Sequence, residues 1–313
     1  MRKIIITAPS HKVLALSLEA SGYEVLDAPF ISYEELIDII GEAEGLVVTT
    51  RIKVDKGLID AAPKLKWVGR LGSGLELIDV NYAAEKGIKS FSTPEGNCTA
   101  VGEHALMLLL SSKRHLIKSN TEIKENKWIR EANRGTELNG KTLGIIGYGN
   151  TGAAFAKAAS GTGMRIIAYD KYKSGFQNNI VEEATQETIQ GEADFISFHI
   201  PLSAENIHIC DAAFLDNLAK QPFIINTSRG SVISQKDLLA ALNSGQISGA
   251  ALDVLENEKL DHFTAEEQTV FDALNNLPQV TITPHIAGYT HEAYYKMSAF
   301  LLTKLGIEIT ELR

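Results

Sequence analysis

Short apolar runs rich in β-branched residues alternate with longer helical stretches along the chain, and no other feature constrains the fold as strongly. A run that is apolar throughout is typical of a strand buried on both faces, and a helix between two such strands returns the chain for a parallel pairing. The alternation occurs twice in 313 residues, a length that suits two hydrophobic cores. We therefore predict an α/β protein with two doubly wound parallel-sheet domains.

The predicted strands form a group of five and a group of about six. Those of the first half are Lys3 to Thr7, Tyr23 to Asp27, Gly45 to Thr50, Lys66 to Leu71 and Ile88 to Thr93. Those of the second half are Thr142 to Gly147, Arg165 to Tyr169, Asp194 to His199, Phe223 to Thr227, Gly249 to Val254 and Val280 to Thr283. Ser32 and Glu35 form a capping box, which marks the start of one intervening helix.

Two long apolar helical stretches, Ala100 to Ile117 and Tyr289 to Leu305, flank the second group of strands. If the later stretch returns to the first half, the chain passes between the halves twice. We therefore predict a discontinuous domain of residues 1–97 plus 290–313, and an inserted domain of residues 98–289.

Composition excludes several classes of function. No apolar run is long enough to cross a bilayer, and the apolar stretch near the start is too short for a signal peptide. A net charge of −9 with scattered lysines and arginines argues against a nucleic-acid partner. Cys98 and Cys210 are far apart and lack metal-ligand spacing, so we expect no disulfide framework, no metal site and a reducing cytoplasm.

A glycine fingerprint follows the first strand of the second group. The segment KTLGIIGYGNTG places Gly147, Gly149 and Gly152 between a buried strand and a helix of small residues. The first glycine permits a tight turn, the second lets a pyrophosphate approach the backbone, and the third allows close packing of helix on strand. Asn150 and Thr151 begin the helix, whose amides and dipole favour an anion. This arrangement predicts dinucleotide binding.

Asp170 ends the next strand, 18 positions after Gly152, where a carboxylate can accept hydrogen bonds from the ribose hydroxyls. A carboxylate at this place repels a 2′-phosphate, so we predict NAD rather than NADP. Lys171 and Lys173 lie close enough to weaken this preference if either reaches the ribose.

Three further segments, INTSRG, ALDVLENE and TITPHIAG, follow predicted strands of the second group. Ligands of doubly wound sheets bind at the carboxyl ends of the strands. The polar residues at these ends are Arg229, Asp253, Glu258 and His285. Each of them, taken singly, is also compatible with an ordinary solvated side chain.

The ordered motifs GRLGSG, STPEGNCTAVGEHAL, ELNGKTLGIIGYGNTG, FHIPLSAEN, INTSRG, LDVLENE and TPHIAG span nearly the whole chain. In them the chain resembles the D-isomer-specific 2-hydroxyacid dehydrogenases, especially the phosphoglycerate dehydrogenase branch. The resemblance implies a flavodoxin-like substrate domain and a Rossmann domain that binds NAD. It makes Arg229, Glu258 and His285 the catalytic set and Asp253 a contact of the nicotinamide amide. We expect Thr227, Ser228 and Gly288 to contact the cofactor as well.

The chemistry of these residue types suits a hydride-transfer enzyme. Oxidation of a hydroxyl releases a proton, which an imidazole such as that of His285 accepts near neutral pH. A carboxylate beside it, here Glu258, orients the ring and favours its charged form. A guanidinium, here Arg229, matches a carboxylate and polarises the neighbouring carbonyl.

On the substrate side, the loop of Gly72, Ser73 and Gly74 can direct backbone amides at a carboxylate. Arg51 resembles the residue with which the phosphoglycerate branch meets the anionic end of its substrate, although it can equally be an exposed charge. The chain departs from the family pattern at Glu76-Leu77, and at Lys259, where the family has a proline. That loss frees Glu258 to move, because proline restricts the residue before it.

Three alternatives remain open. The substrate can be that of a glyoxylate/hydroxypyruvate reductase or of a D-lactate dehydrogenase, since the pocket residues that differ cannot be placed from one sequence. NAD-binding co-repressors of the same family keep the catalytic residues but act by recruiting partners.

The resemblance also implies a homodimer formed through the cofactor domain, with the apolar helix around Ala105 to Leu110 as a contact. The serine-binding regulatory domain of longer relatives is expected to be absent.

Overall fold

The computed structural model describes residues 2–310, which form two compact units. The first unit takes the chain up to Cys98 and again from Tyr289, and the second runs from Thr99 to Gly288. Each boundary lies one residue from the predicted one. The fold class is confirmed, because each unit holds a parallel sheet with helices between its strands.

The first unit contains a five-stranded parallel sheet in the order β2-β1-β3-β4-β5, which is the flavodoxin-like order. Its strands are β1 (Arg2–Ile6), β2 (Tyr23–Asp27), β3 (Ala43–Val48), β4 (Trp67–Arg70) and β5 (Lys89–Ser92). Its helices are α1 (Val13–Ala20), α2 (Tyr33–Ile39), α3 (Lys56–Asp60), α4 (Val80–Glu85) and the last helix of the chain, α12 (His291–Leu305).

The second unit contains a seven-stranded parallel sheet in the order β12-β11-β10-β9-β6-β7-β8. Its strands are β6 (Thr142–Ile146), β7 (Arg165–Tyr169), β8 (Glu182–Glu183), β9 (Phe195–Phe198), β10 (Phe223–Asn226), β11 (Gly249–Leu252) and β12 (Val280–Ile282). Helix α5 (Pro94–Lys113) leads into this unit. The other helices are α6 (Leu116–Lys124), α7 (Asn150–Ala159), α8 (Gln186–Glu192), α9 (Ala212–Asp216), α10 (Gln235–Ser244) and α11 (Ala265–Asn276).

All eleven predicted strands are present, and the structure adds β8, which the sequence did not predict. Two glutamates, Glu182 and Glu183, form this strand, and both are exposed. Their side chains carry no apolar signal, so only the pairing with Ile167 and Ala168 at the edge of the sheet defines the strand.

The helix predictions differ from the structure mainly at the ends. The capping box at Ser32 and Glu35 is confirmed, with both reciprocal hydrogen bonds present. Helix α5 begins at Pro94, six residues before the predicted start. Proline suits the first position of a helix, because the amide hydrogen that it lacks would have no partner within the helix. It ends at Lys113 rather than Ile117, since His115 takes a left-handed φ of 51° and starts a new helix.

Both faces of the second sheet are buried. One cluster includes Ile196, Phe198 and Ile224, and another includes Ile145, Phe155 and Ile225, so neighbouring residues of a strand point into opposite cores. This double burial explains why the strands read as continuous apolar runs. Within residues 2–310, no helix has the length and apolar character needed to cross a bilayer.

Candidate functional site

The strand order of the second sheet reverses between β6 and β9. At such a switch point the loops leave the sheet in opposite directions and open a crevice at the carboxyl ends of the strands. The glycine fingerprint follows β6, and the Arg229, Glu258 and His285 segments follow β10, β11 and β12. The fold therefore brings the predicted cofactor and catalytic segments to one edge of one sheet.

The glycines of the fingerprint have three different surroundings. Gly147 has a φ of 95°, and a Cβ there would lie 2.5 Å from the carbonyl oxygen of His199. A Cβ on Gly152 would lie 2.0 Å from the carbonyl oxygen of Gly147. A Cβ on Gly149 would meet no atom within 4 Å. Gly147 and Gly152 are thus required by the turn itself, whereas the space beside Gly149 is what an approaching pyrophosphate needs.

The turn delivers the amino end of α7 to this space. Gly149 is the N-cap residue, and Asn150 and Thr151 form the first turn of the ten-residue helix. The N-cap side chain that would normally bond the first amides is absent, because the residue is glycine. The helix dipole and these amides can therefore stabilise a phosphate.

Asp170 holds the turn after β7 against the glycine fingerprint. Its carboxylate accepts hydrogen bonds from the amide of Tyr148 at 2.8 Å, of Tyr172 at 2.9 Å and of Lys173 at 3.0 Å. The two lysines that could oppose the NAD preference have other partners. Lys171 pairs with Glu205, and the Lys173 ammonium lies 3.4 Å from the carbonyl oxygen of Tyr148.

Three buried polar atoms near the carboxyl ends of β9 and β10 lack a hydrogen-bond partner among residues 2–310. They are Nδ1 of His199, Oγ of Ser203 and Oγ1 of Thr227. Burial lowers the pKa of His199 to about 3, so the ring is neutral. Buried polar atoms are rarely left unbonded, and a bound polar molecule would satisfy them. The residues present therefore fit a dinucleotide. Sequence reasoning missed His199 and Ser203, although FHIPLSAEN contains both.

His285 and Glu258 form a direct pair. Nδ1 of His285 lies 2.9 Å from Oε2 of Glu258. In the tautomer that carries a proton on Nδ1, the ring donates a hydrogen bond to this carboxylate and leaves Nε2 for another partner. Both side chains are partly exposed, which leaves the ring accessible to a substrate. His285 has a φ of 54°, an uncommon conformation for a residue with a side chain.

Asp253 holds the His285 segment in that conformation. Its carboxylate accepts bonds from the amide of Ile286 at 3.0 Å and of Ala287 at 2.7 Å, and its carbonyl oxygen accepts the amide of His285 at 2.8 Å. Burial raises the pKa of Asp253, but these amides together with His104 and Thr283 outweigh it and keep the pKa low.

The His104 ring, missed in the sequence, lies 3.2 Å from Oγ1 of Thr283 and 3.4 Å from the Asp253 carboxylate. The motif GEHAL contains it. Asp253 therefore positions His285, and contact with a nicotinamide amide would be a second role. Gly288 is the last of the predicted cofactor residues. It comes directly after Ala287, whose amide donates to the Asp253 carboxylate.

The Arg229 segment is closed by Asn226, which sequence reasoning also missed. Its Oδ1 accepts the amide and the hydroxyl of Ser228 at 3.0 and 2.8 Å, and its Nδ2 donates to the carbonyl oxygen of Arg229 at 2.9 Å. Nη1 of Arg229 donates to the carbonyl oxygen of Ser228 at 2.8 Å. The next residue, Gly230, packs so closely that a Cβ would lie 1.8 Å from the carbonyl oxygen of Leu255. The segment that carries Arg229 is therefore in contact with the segment that carries Glu258.

In the first unit, Arg51 follows β3 and holds three loops together. Its Nη2 donates to the carbonyl oxygens of Thr7, Pro29 and Ile31 at 3.1, 3.0 and 2.9 Å. The Arg51 side chain therefore has a structural role, because it links the loops that follow β1, β2 and β3. Nη1 and Nε take no part in these bonds, so part of the guanidinium remains for an anion.

The Gly72–Gly74 loop follows β4, the neighbour of β3 in the sheet. The amide of Gly72 is already bonded to Oγ1 of Thr93 at 3.0 Å, and the Ser73 hydroxyl donates to Asn97 at 3.1 Å. Among residues 2–310, the amides of Ser73 and Gly74 donate to no backbone carbonyl oxygen. Both carboxylate oxygens of Glu76, however, pack against Gly74, in the space that a Cβ would need. Glu76, which departs from the family pattern, has its Oε2 3.7 Å from Nη1 of the buried Arg70. The same guanidinium donates to the carbonyl oxygen of Gly74.

Comparison with known proteins gives the same assignment for the second unit. Residues 106–287 match the family model described as D-isomer specific 2-hydroxyacid dehydrogenase, NAD binding domain. A hydroxypyruvate reductase of Thermotoga maritima is 38% identical over 277 residues, which are 88% of each chain. A D-3-phosphoglycerate dehydrogenase of Synechocystis is 36% identical over 84% of this chain but only 46% of its own length. The chain thus spans about half of that relative.

A solved structure extends the likeness to both units. The chain superposes on a glyoxylate reductase from Paecilomyes thermophila with a TM-score of 0.86, at 25% identity, over 97% of this chain and 94% of that one. The predicted family and the predicted cofactor are both confirmed. The chain belongs to the D-isomer-specific 2-hydroxyacid dehydrogenases, which act on a CH–OH group with NAD.

Proposed function

We propose that the protein is a cytoplasmic dehydrogenase that interconverts 3-phosphoglycerate and 3-phosphohydroxypyruvate, the oxidative entry to serine synthesis. The observation that carries the proposal is the juxtaposition of Arg51 and the Gly72–Gly74 loop at the ends of adjacent strands. The amides of Ser73 and Gly74 suit the carboxylate of a small acid, and Arg51 suits a second anionic group. The Synechocystis relative supports the choice, because it is named as a D-3-phosphoglycerate dehydrogenase.

The second unit supplies the reaction chemistry. The glycine fingerprint and Asp170 would hold NAD, which would supply a hydride acceptor for C2 of the hydroxy acid. Nε2 of His285 takes the hydroxyl proton, and Glu258 stabilises the imidazolium that results. Arg229 would polarise the oxygen on C2 and pair with the neighbouring carboxylate. In the reverse direction His285 returns the proton to the carbonyl oxygen.

A second candidate substrate is hydroxypyruvate, favoured by the Thermotoga maritima relative, which matches over nearly its full length. The phosphate is the only chemical difference between the two oxo acids. NADH oxidation by the purified protein should therefore be measured with phosphohydroxypyruvate, hydroxypyruvate, glyoxylate and pyruvate. We expect phosphohydroxypyruvate to give the highest kcat/KM.

Arg51→Gln should lower kcat/KM for phosphohydroxypyruvate by about 10- to 100-fold more than for hydroxypyruvate, since hydrogen bonds to a charged group contribute about 1.5–3 kcal/mol. The ratio of the two substrates corrects for any loss of folded protein caused by the three loop contacts of Arg51. An equal fall for both oxo acids would assign Arg51 a structural role alone. If no oxo acid is reduced although NADH binds, the co-repressor alternative replaces the enzyme.

We also propose a homodimer through the second unit. Large apolar side chains are exposed over one stretch of α5, α6 and the segment after it, where a monomer would normally carry polar residues. They are Met107, Leu110, Leu116, Ile117, Ile123, Trp128 and Ile129, with exposures of 40% to 82%.

Light scattering should give twice the mass of one chain, and the double change Ile117→Glu with Trp128→Glu should lower it to that of a monomer. Phe30→Glu is the control, because Phe30 is 83% exposed in the other unit. A dimer that survives the double change would rule out this surface.

A further inference from the structure

The segment Leu255–Lys259, here called the glutamate loop, lies between β11 and the turn before α11 and carries Glu258 as its fourth residue. The two residues before Glu258 are anchored to other elements. We propose that Glu256 and Asn257 are positioning residues, which fix the backbone of Glu258 so that its carboxylate meets Nδ1 of His285. Only the predicted effects on kcat and KM rest on the proposed function; the positioning of Glu258 does not.

Glu256 ties the loop to the amino end of α10. Its Oε1 accepts the amide of Gln235 at 2.7 Å, and its own amide donates to Oε1 of Gln235 at 3.1 Å. Its Oε2 lies 2.7 Å from Nε2 of His208. His208 in turn donates its amide to the carbonyl oxygen of Ser231 at 2.7 Å, so this partner is itself held in place.

Asn257 ties the loop to the amino end of α11. Its Nδ2 donates to Oε1 of Glu267 at 3.0 Å. Glu267 belongs to the capping box of that helix, where its other oxygen accepts the amide of Thr264 at 2.6 Å. The anchor is therefore a side chain that the helix already orients, and little extra entropy is lost when Asn257 bonds to it.

Asn257 also restrains the residue that follows Glu258. Its Oδ1 accepts the amide of Lys259 at 3.0 Å, a bond that spans Glu258. A proline at position 259 would have no amide to donate, but its ring would restrict Glu258 directly. This chain therefore fixes the same backbone with a hydrogen bond in place of a ring. The loop remains preorganised despite Lys259.

The inference predicts a specific rescue. Asn257→Ala should lower kcat on the order of tenfold, because a displaced carboxylate no longer stabilises the charged ring in the transition state. KM and the Kd of NADH should change less than about twofold, since neither depends on Glu258. Lys259→Pro alone should be nearly neutral. In the Asn257→Ala background, Lys259→Pro should restore most of the lost kcat.

Glu256→Gln should reduce kcat in the same manner, and Asn276→Ala is the matched control. The Asn276 side-chain amide also donates a hydrogen bond, to the carbonyl oxygen of Asp272 at 2.8 Å, but Asn276 is the last residue of α11, at the end opposite to the Asn257 contact. If Asn257→Ala keeps its kcat, or lowers kcat, NADH affinity and thermal stability together without rescue by proline, the proposal is overturned.

Nitrogen NMR of the His285 ring gives a readout that needs no turnover. The bond to Glu258 holds the proton on Nδ1 of the neutral ring, so this tautomer should dominate the neutral form of His285 in the wild-type protein. In Asn257→Ala the Nε2-protonated tautomer should increase, and Lys259→Pro should reverse the change. An unchanged tautomer would overturn the proposal even if the substrate is another acid, so failure of the proposed substrate remains distinguishable.

Discussion

Replacing His285 with alanine will lower kcat/KM for the accepted oxo acid by about 10²- to 10⁴-fold, the usual contribution of a general acid or base. The side chain touches Glu258 and faces partly into solvent, so its loss removes the proton carrier without opening a core. NADH affinity and thermal stability should change little. Stopped-flow measurement of NADH oxidation and fluorescence titration of NADH separate the two effects.

His262→Ala is the control for the His285 variant, because His262 is an exposed histidine of the same unit that lies outside the catalytic pair. It should leave kcat/KM within about twofold of the wild-type value, as surface substitutions usually do. If His285→Ala turns over at the wild-type rate, another group carries the proton, and the mechanism assigned to the pair is wrong.

Two alanine substitutions in the glycine fingerprint should affect different properties of the protein, one its stability and the other its affinity for NADH. Gly152→Ala should lower the melting temperature by roughly 5–10 °C, because the new Cβ would lie 2.0 Å from the carbonyl oxygen of Gly147 and the backbone must move. Gly149→Ala should leave the melting temperature within about 1 °C, since its Cβ meets no protein atom within 4 Å. It should instead weaken NADH binding at least about tenfold, because the methyl group occupies the space that the pyrophosphate needs.

Gly161→Ala serves as the control for both variants, because a Cβ there also meets nothing within 4 Å and the residue lies beyond the carboxyl end of α7. Calorimetry and NADH titration of the three proteins give the full comparison. Unchanged NADH affinity in Gly149→Ala would show that the cofactor does not approach this glycine. Unchanged stability in Gly152→Ala would show that the turn relaxes without cost.

The sequence by itself determined the class of fold, the family and the residue types of the chemistry. Strands buried on both faces need apolar side chains along their length, so the burial pattern is visible in the chain as runs such as LGII and GAAL. The glycines were predictable for a similar reason. A positive φ at Gly147 and a close contact at Gly152 each exclude a Cβ, and glycine alone meets that requirement.

Only the tertiary structure decided which polar side chains hold the site together. Asn226, His104 and the anchors of the glutamate loop act through partners that are distant in the sequence, such as Thr283 for His104 and Glu267 for Asn257. Neither spacing nor periodicity encodes those pairs, because a hydrogen bond depends on where two elements bring their side chains. The same reason explains why Lys259 looked like a loss of order in the sequence. Its amide gains a partner, Asn257, that only the folded loop places within reach.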